Sequence, residues 1–267
     1  MASVSILTRL CGAWWVICFA CALVMAFGSA EARPLSAIKA SGTLRVGLTG
    51  DYAPYSLRGP DDKITGADVT MAESLAHTLG VTLEIVPTAW KNLASDLQAD
   101  RFDIAMGGVS VTPDRAATGD FSVPVMRDGK RPIVRCGDKD HYVSVPAIDA
   151  PAVRVVVNPG GTNERFAKAN LKNAQVTVHP DNRTIFEEIA GGRADVMVTD
   201  GAEADYQARR HPGVLCPAAV PDTFDHFDKA YWMTRDPALK SAVDAWLTQS
   251  LAAGEYQKAL AEAADVR

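Results

Sequence analysis

The stretch Leu44-Arg45-Val46-Gly47-Leu48-Thr49, running into Gly50-Asp51-Tyr52-Ala53-Pro54, joins a short apolar β run to a polar, turn-rich exit. Val69 to Leu79 then carries the amphipathic spacing of a helix, closed by Gly80. Val81 to Val86 reads as a strand, Leu93 to Ala99 as a short helix and Phe102 to Met106 as a further strand. A βαβαβ opening of this kind builds a mostly parallel sheet with both faces covered.

The same architecture starts again after Pro151. Val153-Arg154-Val155-Val156-Val157 is a buried-type strand that exits through Asn158-Pro159-Gly160-Gly161-Thr162-Asn163. A helix over Thr162 to Leu171, a strand over Gln175 to Val178, a helix over Thr184 to Ala190 and a strand over Ala194 to Val198 follow. The residues after Thr199-Asp200 are helical in pattern to about Arg210. Lys229 to Thr234 reads as one more strand, and Pro237 onward as a helical tail. Two such units predict an α/β protein of two lobes with a cleft between them. Ligands of open α/β sheets bind beyond the carboxyl ends of the strands. The positions of interest are therefore those after Leu48, Val86, Met106, Val157 and Val198.

Composition narrows the function. With 27 Lys+Arg against 32 Asp+Glu the formal charge is −5, and no basic run exists to neutralise phosphates, which argues against a nucleic-acid partner. Arg9 is followed by 21 uncharged residues, Leu10 to Ala30, and Ala30 and Ala32 form an A-x-A site before Arg33. This is the pattern of a secretory signal peptide over residues 1–32, with an uncleaved membrane anchor as the rival reading. Removing residues 1–32 from the 267-residue chain leaves 235, and no other segment is apolar enough to span a bilayer. Three of the five cysteines fall in the leader, leaving Cys136 and Cys216. In an oxidising compartment such a pair is expected to form a disulfide, worth roughly 4–5 kcal/mol for a loop of about 80 residues; two buried free thiols are the alternative.

Three polar strand exits carry the candidate chemistry. In Gly107-Gly108-Val109-Ser110-Val111-Thr112-Pro113-Asp114-Arg115, glycines and hydroxyls supply donors, and Arg115 has the fork geometry for a carboxylate. A solvated surface arginine is the plain alternative. The Gly160-Gly161-Thr162 turn opens a helix and aims N–H groups at an anion, or is an ordinary capped turn. Asp200 and Glu203 share one face of a helix start. They are either helix-end carboxylates or a functional pair, with Asp200 holding a cation and a desolvated Glu203 keeping its proton as a general acid. Tyr52 and Trp90 are aromatic-wall candidates, and Asp51 is a turn former or an amine partner. The five histidines are scattered without metal-ligand spacing, and no dinucleotide fingerprint follows a strand, so no metal or redox cofactor is indicated.

From Leu44 to the end the chain resembles the polar amino-acid family of periplasmic solute-binding proteins. The resemblance rests on Leu44-Arg45-Val46-Gly47 before Asp51, on Gly66-Ala67-Asp68-Val69, on Phe102-Asp103-Ile104-Ala105-Met106 before Ser110 and Arg115, and on Asp195-Val196-Met197-Val198-Thr199-Asp200. It implies a type II two-lobe fold joined by two crossing strands, with residues 33–127 plus 226–267 in lobe 1 and 128–225 in lobe 2. Arg115 then holds a ligand carboxylate, Gly108, Ser110 and Thr162 add donors, and Asp51 and Asp200 stand where amine partners stand.

Longer blocks are similar to the periplasmic cyclohexadienyl dehydratases: Val157 to Glu164, Val178-His179-Pro180-Asp181-Asn182, Met126-Arg127-Asp128-Gly129-Lys130 and Ala167 to Lys172, with Cys136 and Cys216 matching in position. That family converts prephenate to phenylpyruvate and arogenate to phenylalanine without a cofactor. The resemblance implies Glu203 as the proton donor at a position where amino-acid binders commonly carry an apolar residue. Asn158 and Trp90 then orient the ring, Arg115 and Thr162 hold the side-chain carboxylate, and Gly161 is a further substrate-binding residue. A periplasmic amino-acid-binding protein of a transport system shares nearly every feature except Glu203 and the long blocks. The expected partner is a small molecule, prephenate or arogenate, with no nucleic acid and no membrane once the leader is cut; a homo-oligomer is left open.

Overall fold

The computed structural model describes residues 33–265, so the proposed signal peptide at 1–32 lies outside the described residues. Two five-stranded sheets organise the chain. In the first, Thr43–Leu48 lies between Thr82–Pro87 and Ile104–Ala105, parallel to both, and Trp232–Met233 and Asp120–Phe121 complete the sheet. In the second, Arg154–Val157 lies parallel to Gln175–Val178 and Val196–Asp200. Antiparallel strands Lys130–Arg135 and Leu215–Pro217 complete that side. The repeated strand order, with the first parallel strand inside the second, is the duplicated architecture that the alternating pattern predicts.

The central strands of each sheet are buried on both faces by alternate side chains, while the edge strand Gln175–Val178 is exposed. Val46 and Leu48 pack with Met71, Leu75 and Trp246 from helices Ala67–Leu79 and Pro237–Ala252, whereas Phe102, Leu97 and Trp232 fill the opposite face. In the second sheet Val156 joins Ile185, Phe186 and Met197, and its neighbours Val155 and Val157 join Ile148, Ala167 and Val198.

Two crossing strands link the lobes: Met126–Asp128 pairs antiparallel with Phe227–Lys229. The single strand read over Lys229 to Thr234 is thus two pieces, because Lys229 ends the crossing pair and the ladder resumes only at Trp232. The helical tail is also divided, at Gly254 (φ 73°), into Pro237–Ala252 and Glu255–Ala264. A short helix over Leu35–Ser41 precedes the first strand and was not visible in the sequence pattern. Among the described residues, no helix is long and apolar enough to cross a membrane.

Cys136 and Cys216 form the disulfide, with Cα atoms 4.7 Å apart and a sequence separation of 80. It ties strand Leu215–Pro217 to the end of Lys130–Arg135, next to the Cys216–Val134 register pair. Replacing both cysteines by serine is expected to lower unfolding stability by about 2–5 kcal/mol, read as a lower urea midpoint. A midpoint unchanged from the oxidised protein would contradict a stabilising role for the bridge.

Candidate active site

The strand exits converge on one narrow cleft between the lobes. Its walls are Tyr52, Trp90, Gly108, Ser110 and Arg115 from the first lobe and Asn158, Gly161, Thr162, Asn163, Asn182, Asp200 and Glu203 from the second. Asp51 stands behind this wall and accepts a hydrogen bond from Trp90 Nε1 at 3.0 Å. That bond fixes the indole, whose ring meets Tyr52 edge to face with centroids 5.6 Å apart.

Asp200 is buried at the last position of its strand, where the register sets it directly opposite Lys130. Its Oδ1 accepts from Lys130 Nζ at 2.5 Å and its Oδ2 from Lys229 Nζ at 2.7 Å, and the Tyr52 hydroxyl also donates to Oδ2. Lys130 donates further to Thr162 Oγ1 at 2.8 Å and Asn163 Oδ1 at 2.5 Å. Lys229 donates to the Gly108 carbonyl at 3.0 Å and to the Tyr52 oxygen at 3.2 Å. Burial works to raise the Asp200 carboxyl, but the two ammonium groups overrule it and hold the group well below the usual carboxylate range. The cation expected at Asp200 is therefore supplied by the protein itself.

Glu203 lies one helical turn further on, fully buried in the first turn of Gly201–Arg210. Thr199 Oγ1 donates to its Oε2 and Asn182 Nδ2 to its Oε1 at 3.0 Å. Asn163 Nδ2 in turn donates to Thr199 Oγ1 and to Asn158 Oδ1, both at 3.0 Å. These hydrogen bonds favour the carboxylate, yet burial dominates and Asp200 adds repulsion, so the Glu203 carboxyl is pushed up to about 8. That shift favours the protonated form at neutral pH. The Asn182 Oδ1 atom, also buried, has no hydrogen-bond partner among the described residues.

Arg115 is buried in the short helix Pro113–Thr118, whose start is capped by Thr112 Oγ1. One guanidinium nitrogen donates to the Ser110 carbonyl at 2.8 Å, and the group lies 6.0 Å from the ring centres of both Trp90 and Trp232. Among the described residues no carboxylate pairs with it. The loop before it is set by buried Asp68, which accepts from the Gly107 and Gly108 amides at 2.8 and 2.9 Å and from Tyr231 at 2.9 Å. The Gly108 amide is thus committed to Asp68, and its carbonyl to Lys229. Gly108 has φ +73°, and a Cβ there would stand 2.7 Å from the Tyr52 ring, so only glycine lets this loop approach the aromatic wall.

Lys130, Lys229, Asn163 and Asn182 were not singled out individually from the sequence, although three of them fall inside quoted blocks. Lysines are read as surface residues by default, and only the fold brings these two to Asp200.

Residues 44–263 match the bacterial extracellular solute-binding proteins, family 3. The chain belongs to this family. A cyclohexadienyl dehydratase of Pseudomonas aeruginosa is 48% identical over 230 residues, covering 85% of this chain and 85% of that protein. Among solved structures, an ancestral cyclohexadienyl dehydratase is 50% identical with a TM-score of 0.54, covering 89% of this chain and 98% of its own. An ancestral amino acid-binding protein, described as a precursor of cyclohexadienyl dehydratase, is 36% identical with a TM-score of 0.77, covering 85% and 97%. The family fold and the two-lobe α/β architecture thus agree with the expectation drawn from the strand pattern.

Proposed function

We propose that this protein is a cyclohexadienyl dehydratase of the periplasm, converting prephenate to phenylpyruvate and arogenate to phenylalanine. The observation that carries the reading is Glu203: a carboxyl fully buried in the cleft wall, pushed up to about 8 by that burial, in a chain 48% identical to a named dehydratase. The reaction expels a ring hydroxyl, and hydroxide is a poor leaving group. Glu203 delivers its proton to that oxygen as the carbon–oxygen bond breaks. The bonding pair of the ring carboxylate moves into the ring, carbon dioxide departs, and the product is aromatic. Glu203 is left as a carboxylate and recovers its proton from water. Asn182 Oδ1, an acceptor with an open valence beside Glu203, suits the hydrogen of the leaving hydroxyl.

Charge supports the same substrate class. Arg115 lines the cleft with no carboxylate paired to it among the described residues, whereas Asp200 is already paired with Lys130 and Lys229. The unpaired guanidinium favours a ligand that brings a carboxylate. Arg115 takes the side-chain carboxylate in this reading, with Ser110 and the helix start at Gly161-Thr162 beside it. Trp90 and Asn158 flank the ring. The lobes divide at the crossing strands, with 33–127 plus 226–267 on one side and 128–225 on the other, and residues 1–32 act as the export signal.

Purified protein incubated with prephenate is expected to form phenylpyruvate, followed by the absorbance of its enol in alkali. Absence of product together with tight binding of a free amino acid would select the transport-receptor reading instead.

A further inference from the structure

Thr199 is the one hydroxyl residue in strand Val196–Asp200, and its side chain is fully buried behind the cleft wall, which it does not line. A buried strand position of this kind is ordinarily filled by valine, as Val196 and Val198 are, because a buried hydroxyl costs free energy unless it is partnered. The partners of Thr199 also fix where its hydrogen points. An ammonium group only donates, so the Asn163 atom that meets Lys130 Nζ at 2.5 Å is the amide oxygen. The Asn163 nitrogen therefore faces the other way and spends its two hydrogens on Asn158 Oδ1 and Thr199 Oγ1, both at 3.0 Å. Thr199 Oγ1 accepts there, and its single hydrogen goes to Glu203 Oε2. Glu203 Oε1 is served in the same way by Asn182 Nδ2, which is identified as the nitrogen by its other bond, to the Asp51 carbonyl at 3.0 Å. Both carboxyl oxygens thus meet donors held in place from behind, an arrangement that suits a carboxylate.

We propose that Thr199 is a positioning residue for the reaction: the amide chain anchored on Lys130 aims its hydroxyl hydrogen at Glu203, where it fixes the carboxyl and stabilises the carboxylate left when the proton departs. The inference rests on the reading of Glu203 as the proton donor. Burial alone makes an acid that surrenders its proton with difficulty, and the Thr199 hydrogen bond works against that burial. The other titratable groups that face Glu203 are Asp200 at the strand end and Asp51, Tyr52 and Tyr55 from the first lobe. None of them acts through Thr199, so a change at this hydroxyl reports on its own bond.

Thr199→Val keeps the shape and the branched Cβ of the side chain and removes only the hydroxyl. It is expected to lower kcat for prephenate by ~10-fold with KM changed by less than ~2-fold, since Thr199 does not touch the substrate. The descending limb of kcat/KM should move to higher pH by about 1–2 units, the worth of a hydrogen bond to a charged group. Thr199→Ser, which restores the hydroxyl, is expected to bring both quantities back toward the wild type. Carbon-13 NMR titration of the Glu203 carboxyl, assigned by its absence in Glu203→Gln, reads the same upward shift with no substrate present. An unshifted titration in Thr199→Val overturns the inference, as does a serine variant impaired as much as the valine one. If near-ultraviolet circular dichroism shows Thr199→Val to be unfolded, Thr199→Ala, which is smaller and also lacks the hydroxyl, carries the same expectation. A shifted titration in a protein that never turns over prephenate would keep the hydrogen-bond assignment and remove the dehydratase reading instead.

Discussion

Glu203→Gln is expected to lower the turnover of prephenate by ~10²–10⁴-fold, the usual contribution of a positioned general acid, while substrate affinity is retained. The amide has the shape of the acid and can still accept from Asn182 Nδ2, so the cleft wall is preserved. It cannot surrender a proton to a departing hydroxyl. Single-turnover measurements separate the chemical step from release, and a variant with wild-type turnover would remove Glu203 from the mechanism.

The same group sets two pH dependences. Activity needs the protonated acid, so kcat/KM for prephenate should fall as pH rises through about 8. A bound dianion repels the carboxylate form further, so the descending limb of kcat should lie at higher pH than that of kcat/KM. Stability follows from the same shift. The carboxyl is raised from 4.5 to about 8 on folding, so between those values the folded state holds a proton that the unfolded state has released. Its contribution therefore falls with rising pH across that window, with a slope of about 1.4 kcal/mol per pH unit for one proton. Glu203→Gln removes the slope, and its unfolding midpoint should gain on the wild type steadily from pH 5 to 8. Asp200 has the opposite sign. Its carboxyl is lowered on folding, so its stabilisation is present above the ordinary carboxylate range and is lost in acid.

What could be read in advance divides by the range over which the physics acts. Strands such as Val153 to Val157 and Gln175 to Val178 are short β-branched-rich runs flanked within two residues by proline or asparagine, so their local pattern is enough to locate them. The polar residues at their exits then fall at the cleft by topology alone, which is why Tyr52, Trp90, Ser110, Arg115, Asn158, Thr162, Asp200 and Glu203 line one cavity. The crossing strand Phe227–Lys229 was not placed, because its three residues pair only with Met126–Asp128, about 100 positions earlier in the chain. Lys130 and Lys229 eluded the reading for a related reason. A lysine is buried only where an acid partner offsets its desolvation, and Asp200 lies 70 and 29 residues away from them in sequence. The hydroxyl and amide chain from Asn163 through Thr199 to Glu203 likewise exists only after helix Thr162–Asn170 packs beside strand Val196–Asp200.

Arg115→Met is expected to abolish most ligand binding while making the empty protein more stable, a pair of opposite effects that a merely structural arginine would not give. The guanidinium is buried and its capped helix and the Ser110 carbonyl hold it in place, yet it faces no carboxylate among the described residues. Burial pulls it down to about 10, with Arg165 adding repulsion, so at neutral pH it remains charged. An unpaired buried cation costs several kcal/mol of desolvation, which methionine avoids at similar length. With ligand present the balance reverses. A carboxylate meeting the remaining N–H donors would form a desolvated, hydrogen-bonded ion pair, and losing one partner of such a pair typically costs about 2–5 kcal/mol. Ligand raises the midpoint of unfolding through RT ln(1 + [L]/Kd), so the thermal shift produced by phenylpyruvate should disappear in Arg115→Met. Arg115→Lys, which keeps the charge but loses the planar fork, should recover part of that shift. A full shift in Arg115→Met would show that the carboxylate is held elsewhere in the cleft, with the helix start at Gly161-Thr162 the next position to test.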